Sequence, residues 1–269
     1  MGGWGAGGME REGIRDTGAM KDEADSFGEC KLCGQKTELC KSHIVPEFCY
    51  TRLYDRDPKG RSAVAAMFTA AGPTRVRKIQ KGLREYMLCA SCENRINTRY
   101  EQPFSKYWYG PSGLPSKMDL GYMGFWRPGT DYTSTKLLHW SILWRAAMAR
   151  RFSGISLGPY GDKIAKMLLS GDPGPPQSFP VFGQVLVNEQ GVVNHALVTA
   201  PIKARCRHSY AYIMCYAGCE WYFVLTEHPD PADAKKILEI AAAGNMCLVY
   251  CPWLESRTAK TIERLGRRR

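Results

Sequence analysis

The chain has no uninterrupted apolar run of the roughly 20 residues that a membrane helix needs, so a helical span is not expected. Its first 24 residues are rich in glycine and charge and have no apolar centre of the secretory kind, which predicts a cytoplasmic protein with reduced cysteines. No internal repeat is visible, which argues against a solenoid. Acidic residues are in deficit: 26 Asp and Glu face 37 Lys and Arg, a net charge of +11. That excess favours a polyanionic partner, nucleic acid before others and DNA as the expected form.

Cysteine, by contrast, is abundant, with eleven in 269 residues. In a reducing compartment an odd, clustered set points to metal or redox chemistry rather than a disulfide framework. Two pairs stand out. Cys30-Lys31-Leu32-Cys33-Gly34 has the form of a knuckle, in which glycine lets the backbone fold back under two sulfurs. Cys89-Ala90-Ser91-Cys92 comes immediately before a helical pattern over Cys92 to Tyr100. Four thiolates suit tetrahedral structural zinc. A redox pair is the alternative, but it predicts a single Cys-x-x-Cys beside a thioredoxin-like unit. The remaining candidates, Cys206, Cys215, Cys219, Cys247 and Cys251 with His208, are expected to be buried free thiols or packing groups, not a second metal site.

Five segments follow. Residues 1–27 have no hydrophobic period and are expected to be a disordered tail. Residues 28–104 form the zinc-binding unit: an extended Lys41–Pro46, a short helix over Pro46–Leu53, and a strand over Leu83–Leu88. Between them Asp55–Gly82 is a polar insertion, either a hairpin or a loop, with Arg75, Arg77, Lys78 and Lys81 as candidate phosphate contacts alongside Arg84 and Arg95. Such a charge run can equally be a solvated face. Residues 105–130 are an aromatic, glycine-rich connector. Residues 131–262 form an α+β unit. A helix starts near Asp131, with Trp140, Trp144 and Arg145 as packing residues, and a second follows Leu157-Gly158. Strands are expected over Val181–Val187 and Val192–Thr199, then a hairpin Ser209–Tyr216 and Glu220–Thr226 about Ala217-Gly218. A helix over Pro231–Ala243 and a last strand over Cys247–Tyr250 complete it. Residues 263–269 are a basic tail. The fold class is therefore α+β, a metal-bound unit followed by helices and a mainly antiparallel sheet.

The order Cys-x-x-Cys, then Ser42-His43-Ile44-Val45-Pro46, then Leu88-Cys89-x-x-Cys92-Glu93 resembles the HNH family of ββα-metal nucleases, built on a zinc-bound treble clef. The resemblance implies that His43 is the general base that activates water. It implies that Cys30, Cys33, Cys89 and Cys92 hold structural zinc. It puts Glu93 in the place of a helix His that binds a catalytic ion, magnesium or manganese, and Ser42 in the place of a metal-binding acid. Glu101, two turns on, could supply a further oxygen. No residue in Arg84–Met87 matches the family's orienting Asn. The second half, with Leu138–Arg145 reading Leu-x-x-Ser-Ile-Leu-Trp-Arg, is similar to a group of bacterial HNH-like proteins. The implied activity is metal-dependent phosphodiester cleavage, a hydrolase reaction. The alternative is a treble clef that has lost catalysis and binds nucleic acid or a protein. On that reading His43 serves only to hydrogen-bond the knuckle or to cap the helix after Pro46, and Glu93 to favour its helix dipole.

Overall fold

A computed structural model describes residues 26–53, 55–57, 60–69, 72–79, 82–110, 123–125, 132–152, 154–175, 177–195, 197–206, 209–227 and 247–266; for the strands between 55 and 79 and for 123–125 only the backbone is described. The expected helix over Pro231–Ala243 lies outside these residues.

Mixed helix and sheet is what the chain forms, with mostly antiparallel pairing. β1 (Phe27–Glu29), β2 (Lys36–His43) and β6 (Arg84–Cys89) make a three-stranded sheet in the order β1-β2-β6. A 3₁₀ turn over Glu47–Tyr50 follows Pro46, shorter than the helix expected there. The polar insertion is a second sheet: β3 (Asp55–Asp57), β4 (Gly60–Thr69) and β5 (Gly72–Ile79), with β4 and β5 a hairpin.

From β6 the chain runs directly into α1 (Ala90–Ile96), a π-helical turn at Asn97–Glu101, and α2 (Gln102–Trp108). The rod starts two residues before the expected Cys92 and passes through the boundary drawn at 104. The wide turn has a local cause. Pro103 has no amide hydrogen for the normal ladder, and the Gln102 amide bonds to Asn97 O, five residues back. The extra residue in the turn shifts the helix faces that follow.

The second half is organised on α3 (Tyr132–Met148), buried on nearly every side. A helix buried all round belongs at the centre of a structure. Three of its polar side chains tie it to other elements. Lys136 Nζ donates to Pro173 O at 2.9 Å, Pro175 O at 3.3 Å and Ser178 O at 2.6 Å, so the proline-rich loop wraps the ammonium. His139 Nδ1 meets Tyr216 Oη at 2.6 Å. Arg145 Nη2 donates to Glu101 Oε1 at 2.6 Å, an ion pair whose side chains are 1% and 14% exposed. After a short 3₁₀ turn, α4 (Gly161–Ser170) ends on Gly171 in the left-handed conformation.

Six strands close the core in the order β7 (Met123–Phe125), β12 (Cys247–Pro252), β8 (Val181–Val187), β11 (Cys219–Leu225), β10 (Ser209–Tyr216), β9 (Ile202–Cys206). The β10–β11 hairpin turns at Ala217 and Gly218 as expected. Two differences stand out. Among the described residues of Val192–Thr199 no strand forms beyond one bridge, Val187 to Val193; both sides of β8 are taken, by β11 antiparallel on one and β12 parallel on the other. And residues of the expected tail belong to a helix, α5 (Arg257–Gly266).

One hydrophobic core runs through both halves. Phe104 stacks on Trp108 at 5.1 Å, Trp108 lies 5.6 Å from Trp221, and Trp221 lies 3.8 Å from His139. Buried indole N–H groups find carbonyls: Trp108 donates to Ala217 O at 2.9 Å and Trp140 to Phe179 O at 2.8 Å, as buried tryptophans require.

Breaking the Glu101–Arg145 pair on one side leaves a buried charge alone. Arg145→Met is expected to lower unfolding stability by about 3–5 kcal/mol, with part restored in Arg145→Met/Glu101→Gln; equal denaturant midpoints for wild type and single variant would sink this. Burial also holds His139 well below its ordinary pKa. The unfolded chain takes up that proton near pH 6.5 while the folded chain does not, so stability is full above that value and falls as pH drops, by up to about 1.4 kcal/mol per pH unit. Urea unfolding at several acidic pH values should show this slope reduced in His139→Leu.

Candidate metal centre

β1 ends just before Cys30, and the chain turns over Lys31–Cys33. Gly34, at φ +76°, lets it return: its amide donates to Cys30 O and the Cys30 amide to Gln35 O, both at 2.8 Å. The Lys31 amide reaches across to Met87 O at 2.8 Å, which ties this turn to β6. Cys89 ends β6 in an extended conformation and precedes α1, whose first turn carries Cys92. The two pairs thus come from sheet neighbours, although residues 34–88 separate them in sequence.

The sulfurs of Cys30, Cys33, Cys89 and Cys92 lie within 4.8 Å of one another, and among the described residues they are the group that could hold a metal ion. Cys33 and Cys89 are 3.7 Å apart. A tetrahedron with Zn–S bonds of about 2.3 Å has edges of about 3.8 Å, so a zinc ion fits with little adjustment. All four are free thiols. The Cys89 amide donates to Cys30 Sγ at 3.3 Å, which ties the two pairs together.

The electrostatics make the same case. Burial raises the Cys33 and Cys92 thiols. Burial would raise Cys89 too, but hydrogen bonds from the Ser91 hydroxyl and the Cys92 amide outweigh it and bring Cys89 down to about 6. The protein's own donors thus support one negative charge here. A cation beside them would offset the burial that raises Cys33 and Cys92, and a four-thiolate set selects a soft one such as zinc.

His43 closes β2, opposite Arg84 on β6. Successive strand residues point to opposite faces, so the half-exposed imidazole and the fully buried Ser42 hydroxyl leave β2 on different sides. Ser42 Oγ donates to Cys40 O at 3.4 Å. Burial, then the Glu93 charge, raises the Cys40 thiol, and the β2–β6 register shifts between Cys40 and Lys41. Glu93 sits in the first turn of α1 with Oε2 buried and without a hydrogen bond. The four thiols are therefore brought together; His43 and Glu93 belong to the same unit but do not meet through that oxygen. Glu101, the further oxygen considered from sequence, is committed to Arg145.

Of the candidate phosphate contacts, Arg75, Arg77 and Lys78 lie on β5, opposite Met67, Ala65 and Val64. Lys81 lies outside the described residues. Arg95 donates to Leu169 O in the last turn of α4, which ties α1 to that helix. Cys215, Cys219 and Cys251 are free thiols, the first two fully buried; the side chains of Cys206 and Cys247, and His208, lie outside the described residues. Sequence reasoning missed Glu85, whose carboxylate accepts from the Arg150 and Arg151 amides and from Arg151 Nε at 2.7 Å, fastening β6 to the end of α3. A glutamate on a predicted strand carries no sign of such a distant partner.

Among the described residues no helix is long and apolar enough to cross a membrane. Comparison with protein-family models, with curated proteins and with solved structures returned no match.

Elemental analysis of purified protein is expected to find one zinc per chain. Cys89→Ser should lose it and melt at least about 10 °C lower, because structural-zinc binding energy is folding energy and each kcal/mol moves Tm by about 2–4 °C in a chain of this size. Unchanged metal content in the variant contradicts the four-sulfur site.

Proposed function

We propose that the protein is an HNH-like, metal-dependent endonuclease that cleaves nucleic-acid phosphodiesters on a zinc-held treble clef in the cytoplasm. The observation that carries this is the four-sulfur group itself. It joins the unit whose strand ends in His43 to the helix whose first turn carries Glu93, in the order the HNH resemblance implies. His43 is half-exposed at the strand end, where a neutral imidazole can accept a proton from water at cellular pH. Glu93 Oε2, buried without a hydrogen bond, is an oxygen with free capacity for a hard cation. A magnesium or manganese ion bound there would neutralise charge on the phosphate and the leaving oxygen. Arg75, Arg77, Lys78, Lys81 and Arg84 would hold the backbone without reading sequence.

Two observations favour a second reading, a treble clef that binds nucleic acid without cutting it. The position of the metal-binding acid is a neutral serine, and that serine is buried. Glu101 is paired with Arg145 through Oε1, which commits that oxygen to the core.

Plasmid nicking separates the two. A nuclease relaxes supercoiled DNA with magnesium or manganese; His43→Ala abolishes nicking while zinc content holds, and Glu93→Gln lowers it by at least about tenfold, in line with loss of a general-base or charge-stabilising group. A binder retards DNA with steep salt dependence and leaves it intact.

A further inference from the structure

α5 is held at its start by two buried groups. Ser256, 1% exposed, accepts from the Ala259 amide through Oγ at 3.1 Å. Glu220, fully buried on β11, accepts from the Thr258 amide through Oε2 at 2.7 Å and from the Tyr222 hydroxyl through Oε1. First-turn amides that would lack partners are thereby satisfied. The helix cannot rotate or slide without leaving a buried carboxylate unpaired, so its outward face is fixed.

With Thr258 fully buried, Arg257, Lys260 and Arg264 face outward; all three are exposed, and none forms an ion pair with a described residue. Their spacing of three and four residues puts them on one stripe, with rises of about 4.5 and 6 Å. DNA presents a phosphate about every 3.4 Å of axis along each strand, so each cation can meet one. α5 also lies against β5, the strand that carries Arg75, Arg77 and Lys78. The sequence continues past the helix with Arg267, Arg268 and Arg269. Two basic elements, one from the insertion and one from the C-terminal end, thus converge.

We propose that α5 and the β4–β5 hairpin form one track for the phosphodiester backbone of nucleic acid, with Arg257, Lys260 and Arg264 as the phosphate contacts of the α5 half. The polyanion rests on the nucleic-acid reading above, but the track does not require cleavage.

The test is fluorescence anisotropy of a short labelled DNA duplex from about 50 to 200 mM KCl. Arg257→Gln/Lys260→Gln/Arg264→Gln should bind at least about tenfold more weakly near 0.1 M salt, and its log K against log salt should be shallower by about 2.7, or 0.9 for each of three contacts. Lys166→Gln/Lys203→Gln/Arg205→Gln removes the same charge from exposed positions elsewhere and should change the slope by less than about one. Arg264→Gln alone gives about a third of the effect and keeps the test intact if the triple variant does not fold. An unchanged slope in the α5 variants overturns the track while wild-type binding leaves the proposed function standing, as does equal loss in the control triple, which would make the effect one of net charge. No duplex binding by wild type removes both. Binding to phosphatidylserine vesicles that the α5 variant loses, with duplex binding untouched, assigns the stripe to lipid and overturns the proposal.

Discussion

Four thiolates held within a few ångströms repel one another, and burial makes each negative charge dearer still. Hydrogen bonds from Ser91 and the Cys92 amide bring the Cys89 thiol down to about 6. A divalent ion at the centre adds four attractions that offset the six pairwise repulsions. The backbone around the site makes sense in that light. The turn at Gly34, the Lys31 amide on Met87 O and the extended Cys89 all serve to bring two distant pairs to one point. The β1-β2-β6 sheet that carries them is short and could not be stable alone. The shared core supplies part of what the sheet lacks, and a metal ion held by the four sulfurs would supply more.

That shared core matters as much as the ion. The rod from Ala90 to Trp108 starts at the sulfurs and ends against Trp221, and its wide turn delivers Glu101 to Arg145. Glu85, Arg95 and Trp108 add three more ties to the α+β half. Loss of the metal would therefore loosen the anchor of the rod on which α3 and the large sheet pack. The segments read from sequence as a unit, a connector and a second unit are continuous in packing, because the connector's first residues are the last turns of that rod.

The parts legible in sequence were those set by local chemistry. Two Cys-x-x-Cys pairs, an extended run before Pro46, a helix signal from Asp131 and an Ala-Gly turn each act over a few residues, and each appears where expected. What escaped depends on distant partners. Val192–Thr199 has strand composition, yet both neighbours of β8 come from elsewhere in the chain. The Ile202–Cys206 strand is short, and only its pairing with β10 makes it one. The arginines near the C-terminus looked like a solvated tail, since the group that fixes their helix, Glu220, sits some forty residues earlier on a buried strand. The Glu101–Arg145 pair left no local trace at all.

The hydrolytic reading turns on how much one carboxylate can replace. A hard divalent ion takes oxygen ligands and keeps several waters, so a single protein carboxylate can suffice when substrate phosphate supplies further oxygens. Ser42 contributes no charge and its hydroxyl is spent on the backbone. Glu93, one residue past a sulfur ligand, gains its fixed position from the same centre that orders α1. The base and the ion-binding oxygen would then depend on the structural metal for their placement without touching it, which is how a scaffold ion governs chemistry done elsewhere. A polyanion-binding surface is useful under either reading. Under the hydrolytic reading, the charge missing at position 42 would have to be made good by Glu93 and the substrate phosphate.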